Sequence, residues 1–74
     1  MIPKIDIKAT SQNIKRFMDE TGTTKEDIVT CCGVTIQTVY SWLSGRRFPS
    51  ADNLVVLSWI FGCKVDDIIA VAFG

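Results

Sequence analysis

Histidine is absent from this 74-residue chain, which removes the side chain most used as a near-neutral proton shuttle and as a metal ligand. Charge of either sign is not in excess, since eight Lys and Arg balance eight Asp and Glu. Disorder is excluded, because 47% of the residues are hydrophobic and the net charge is zero. Long apolar runs are also missing. Stretches such as Leu54–Leu57 and Ile68–Ala72 fall far short of the roughly 20 residues needed to cross a bilayer, so no membrane partner is expected. Met1-Ile2-Pro3-Lys4-Ile5-Asp6 lacks the apolar core and cleavage site of a secretory signal, and a cytoplasmic protein is the expectation.

Cysteine is scarce and badly spaced for chemistry. Cys31 and Cys32 are adjacent and Cys63 stands alone, which matches neither an even disulfide framework nor a zinc pattern. All three are read as reduced packing residues, and no metal or cofactor is expected. A chain of this length forms one domain that buries only about 60% of its unfolded surface, too little to enclose a substrate cavity. The cysteines have no basic neighbour to lower their pKa, and each carboxylate pair has a place at a helix end. The expectation is that the protein is not an enzyme.

What the chain does have is helix punctuation at short intervals. Thr10 or Ser11 is positioned to cap a first helix whose Ile14, Phe17 and Met18 share one face, with Gly22 ending it. Thr24-Lys25-Glu26-Asp27 has the form of a capping box and opens a second helix, with Ile28, Val29 and Cys32 facing inward and Gly33 turning the chain. Thr35 caps a third, Ile36 to Ser44, with Val39, Trp42 and Leu43 inside and Gln37, Tyr40, Ser41 and Ser44 on the other face. Gly45-Arg46-Arg47-Phe48-Pro49 cannot remain helical and forms an exposed basic loop. Ser50 caps a fourth helix through Phe61, closed by Gly62, and Val65 to Phe73 reads as a fifth. The alternation Ile5-Asp6-Ile7 permits a leading strand that Pro3 restricts to an edge or an arm. The expected architecture is an N-terminal arm at 1–9 and an all-α, five-helix domain at 10–74.

The second and third helices, joined by a short glycine turn, make a helix-turn-helix. Its free polar face suits the major groove. The ordered set Thr24 to Gly33, Val34-Thr35 with Thr38-Val39, Trp42-x-x-Gly45-Arg46-Arg47-x-Pro49-Ser50, and Leu54, Leu57 and Phe61-Gly62 resembles the Cro and phage-repressor helix-turn-helix family, also called the xenobiotic-response-element family. The resemblance spans Thr10 to about Val71. It implies a compact lambda-repressor-like domain, usually dimeric, that reads operator DNA with its third helix.

Carried onto this chain, the resemblance assigns base contacts to Ile36, Gln37, Tyr40 and Ser41, and phosphate contacts to Lys25, Thr35, Thr38, Arg46 and Arg47. Gln37 is the foremost reader, because an amide that both donates and accepts matches an adenine edge, worth about 1–3 kcal/mol of discrimination. Between Asp27 and Asp52 the only charged residues are Arg46 and Arg47, so this surface is locally positive despite the neutral sum. Val29 stands where the family usually has alanine, and Lys64 where it usually has a capping hydroxyl. The fourth helix departs most: Val55, Val56, Trp59 and Ile60 add apolar faces to the Leu54, Leu57 and Phe61 stripe. With Val71 and Phe73, the residues Val56, Trp59 and Ile60 are the expected interface of a homodimer reading a near-palindromic operator. The alternative is an antitoxin or another protein-interaction module, with a toxin or other partner on the same apolar surface.

Overall fold

Asp6 starts the first helix, four residues ahead of the expected cap. In the computed structural model, which describes every residue from Met1 to Gly74, its carboxylate accepts from the Ala9 N–H at 3.0 Å and helix α1 runs Ile7–Thr21. Thr10 and Ser11 are therefore buried one turn inside the helix rather than capping it. The segment 1–9 holds a short strand, β1 (Pro3–Ile5), and the first residues of α1.

The next three helices follow their caps. Helix α2 (Lys25–Cys32) opens with the capping box: Asp27 N–H donates to Thr24 Oγ1 at 3.1 Å, and Thr24 N–H donates to Asp27 Oδ2 at 3.0 Å. Helix α3 (Ile36–Leu43) is capped by Thr35, and α4 (Ala51–Phe61) by Ser50. Gly33 takes φ +67°, which lets the chain leave α2 and turn directly into α3.

The fifth helix is shorter than its pattern promised. Helix α5 covers only Val65–Ile68, and Val71–Phe73 form strand β2 rather than a continued helix. Three side-chain and backbone contacts from the chain's other end impose this. Asn13 Nδ2 donates to Ile68 O at 3.0 Å, Ala70 N–H donates to Thr10 Oγ1 at 3.0 Å, and Asp6 N–H donates to Ala70 O at 2.9 Å. The released segment pairs antiparallel with β1, Pro3 opposite Phe73, Lys4 opposite Ala72 and Ile5 opposite Val71. Val71 and Phe73 thus lie in a strand, not on a helix face.

Each helix contributes one fully buried aliphatic side chain to a shared centre: Ile14, Ile28, Val39, Leu57 and Ile68 are all 0% exposed. Trp42, Leu43, Leu54, Phe61 and Met18 complete the core, and Phe17 stacks on Phe61 at 5.5 Å between centroids, joining α1 to α4. Burying an aliphatic side chain of this size stabilises by about 1.5–3 kcal/mol, so this centre fixes the crossing of α2 and α3. Of the extra apolar residues on α4, Ile60 packs against the core, whereas Val55 and Trp59 face solvent.

Candidate nucleic-acid interface

The outer face of α3 is presented by a helix that cannot shift along its axis, because Val39, Trp42 and Leu43 anchor its inner face. Its start is equally fixed. Thr38 N–H donates to Thr35 Oγ1 at 3.2 Å, and the two threonine hydroxyls lie 3.0 Å apart. Gln37 follows in the first turn and is exposed, Tyr40 is 55% exposed one turn on, and Ile36, Thr38 and Ser41 are half-buried.

Hydroxyl bookkeeping separates these groups. Ser41 Oγ donates to Gln37 O at 3.0 Å, and Ser44 Oγ donates to Ser41 O at 3.2 Å. Both protons are thereby occupied on helix carbonyls, and the Thr35 and Thr38 hydroxyls are engaged with each other and the cap. The side-chain amide of Gln37 and the phenol of Tyr40 form no hydrogen bond within the chain, so they retain full capacity to donate and accept.

Beyond α3 the chain folds back on the same carbonyl. Arg46 N–H and Arg47 N–H both donate to Ser41 O, at 3.0 and 3.2 Å, and Gly45 takes φ +77° to allow it. This turn places the two arginines beside the outer face of α3. Gln37, Thr38, Ser41, Arg46 and Arg47 line one open depression, and Gln37, Tyr40, Ser41, Ser44 and Arg46 line its neighbour. The structure therefore brings Gln37, Thr38, Tyr40 and Ser41 together with Arg46 and Arg47, whereas Ile36 and Thr35 line neither depression.

Lys25 joins from α2. Its Nζ lies 5.7 Å from the centre of the Tyr40 ring, and both residues border a wider cleft with Lys15, Thr24 and Ser44. Two acids, Asp19 and Glu26, line the same cleft, while Asp27 is turned to the start of α2. Hydrogen bonds from the Thr24 backbone and hydroxyl groups hold the Asp27 carboxyl below its ordinary pKa, keeping it charged against the α2 N-terminus, where the helix dipole favours it.

One neighbour of the loop had no signal in the sequence. A Cβ at Gly45 would lie 3.3 Å from Lys8 Cγ, so the stem of Lys8, in the first turn of α1, abuts the arginine loop. With the helix start placed at Thr10, nothing in the residue pattern marked Lys8.

The apolar candidates divide. Trp59 is 77% exposed, Phe73 63% and Val71 50%, while Val56 and Ile60 are half-buried. Among the cysteines, Cys32 and Cys63 pack against the core but Cys31 is exposed, which corrects its reading as a packing residue. Burial and the adjacent Cys31 push the Cys32 thiol up, and burial and Asp67 do the same for Cys63 against an opposing pull from Arg16. Neither is an activated nucleophile. No cluster of Cys, Asp and Glu is placed to hold a metal ion, and no helix is long and apolar enough to cross a membrane.

A protein-family model described as a Cro/C1-type HTH DNA-binding domain matches residues 13–73. No curated protein and no solved structure gives a match.

Proposed function

Because the chain belongs to the Cro/C1-type HTH DNA-binding domain family, a non-enzymatic family of DNA-binding regulators, we propose that it is a repressor-like transcription factor that reads a specific duplex with α3 in the major groove. The observation that carries this reading is the unspent amide of Gln37 beside the loop of Arg46 and Arg47. Gln37 reads a base edge, adenine by the fit of its donor and acceptor. Tyr40 contributes its hydroxyl to a base or phosphate, and Ile36 supplies an apolar contact of the kind a thymine methyl accepts. Ser41, its proton already committed, only accepts. Arg46 and Arg47, with Lys25, Thr35 and Thr38, hold the sugar-phosphate backbone, which positions without specifying. Two copies related by a two-fold axis read half-sites roughly 34 Å apart on one face of the duplex.

Substitution separates the two roles. Gln37→Ala changes the preferred sequence at one position per half-site, at about 1–3 kcal/mol. Arg46→Ala weakens all sequences alike and lowers the salt slope by about one. Unchanged preference in the glutamine variant removes base reading from α3. The exposure of Trp59 supports a second reading, in which this domain also docks a protein partner such as a toxin.

A further inference from the structure

Lys25 is a cation that the folding of α2 does not account for. It is the first residue of that helix, where the dipole favours an anion over a cation, and it is half-buried. Asp19 and Glu26 line the same cleft, yet the chain's one ion pair joins Arg16 to Glu20, so neither acid holds the Lys25 ammonium. The group that meets it is aromatic. Lys25 Nζ lies over the Tyr40 ring, 5.7 Å from its centre, within the roughly 6 Å over which the negative face of a ring attracts a cation.

Tyr40 stands between two depressions. One holds Gln37, Ser41, Ser44 and Arg46 on the outer face of α3, and the other holds Lys25 with the buried Met18 and Leu43. The Tyr40 side chain is 55% exposed and its phenol bonds to nothing in the chain, so no hydrogen bond fixes the ring. A helical tyrosine chooses between two χ1 wells, and the cation over the ring favours one of them. We infer that Lys25 is a positioning residue for base reading: by holding the Tyr40 ring it aims the phenol at one base edge, and so shapes sequence preference without touching a base. A phenol that samples both wells spreads its donor and acceptor over more of the groove and discriminates less. This deepens the α3 reading proposed above and rests on it. It adds to the phosphate contact assigned to Lys25, because an ammonium lying over a ring keeps N–H donors for a phosphate.

The two roles differ in what they do to preference, since a phosphate contact alone weakens every duplex together. The experiment compares the full chain with Lys25→Gln, Lys25→Arg, Tyr40→Phe and Tyr40→Leu on the duplex enriched from a random pool and on its single-base variants. Lys25→Gln is expected to relax preference at the half-site position that Tyr40→Phe relaxes, by about two- to fivefold, the worth of a cation on an exposed ring face. Lys25→Arg keeps a cation able to lie on the ring and restores the preference. In a Tyr40→Leu background, Lys25→Gln leaves preference unaltered and lowers affinity for all duplexes alike, which isolates the coupling. Free protein supplies the second measurement. Three-bond couplings of Tyr40, the only tyrosine, report χ1: one well is favoured in the parent and in Lys25→Arg, and the populations move toward equality in Lys25→Gln with helical circular dichroism unchanged. A Lys25→Gln variant that weakens all duplexes alike, while Gln37→Ala still relaxes its own position, overturns this proposal and leaves the α3 reading standing. A Tyr40 rotamer indifferent to Lys25 overturns it without any DNA. A pool that enriches no sequence overturns the α3 reading and this proposal with it.

Discussion

Replacing Thr10 by valine tests how the two ends of the chain are held together. Thr10 is 1% exposed, and its hydroxyl donates to Asp6 O at 2.8 Å while accepting from Ala70 N–H at 3.0 Å. Valine has the same shape, so no cavity forms and the change isolates the hydrogen bonds. Asp6 O keeps a partner, because it also accepts from Thr10 N–H at 2.9 Å. Ala70 N–H does not, and an amide left without an acceptor costs about 1–3 kcal/mol, with the lower half of that range appropriate to a half-buried residue that water can reach. For a domain of this size each kcal/mol moves the melting midpoint by about 4–8 °C. The expected loss in thermal unfolding followed by circular dichroism is therefore roughly 4–16 °C. Thr10→Ser, which keeps the hydroxyl, should lose much less. A valine variant melting within about 2 °C of the parent, or a serine variant as damaged as the valine one, refutes the reasoning.

Other outcomes follow from single features. Gly45→Ala places a side chain at φ +77° and 3.3 Å from Lys8 Cγ, costing about 1–2 kcal/mol; melting should fall by several degrees and affinity for every duplex together, with sequence preference unchanged in a binding titration. Asp27, whose folded-state pKa is depressed by its bonds to Thr24, contributes stability that is fully present above its unfolded pKa near about 3.9 and is lost as pH falls through the lower folded value. Urea midpoints from pH 6 to pH 2 should show the parent losing its advantage over Asp27→Asn only below about pH 4; a constant gap across the range contradicts the capping role.

The middle of the fold was legible because local chemistry decides it. Thr24, Thr35 and Ser50 cap where their side chains point, and Gly22, Gly33 and Gly62 end helices at positive φ. The ends were not, because residues some sixty positions apart decide them. Thr10 and Ser11 are good caps by type, yet Thr10 is employed by Ala70 and Ser11 Oγ donates to Lys8 O. No glycine or proline marks the end of α5. Asn13 and Thr10 stop it from across the domain, and the β-branched Ile69 and Val71 then follow the strand geometry they prefer. At the interface, helical periodicity was enough to bring Gln37, Tyr40 and Ser41 to one face. Which hydroxyls are already engaged, and that Lys8 stands beside the arginine loop, depends on tertiary placement that periodicity does not encode.

Selection of bound duplexes from a random pool at moderate salt, followed by sequencing, tests the central claim most directly. The account predicts enrichment of a near-palindrome whose half-sites are centred about one helical turn apart, with one half-site position that Gln37→Ala relaxes. Recovery of no sequence above the starting pool, from protein shown to be folded and at concentrations that bind duplex, would contradict it.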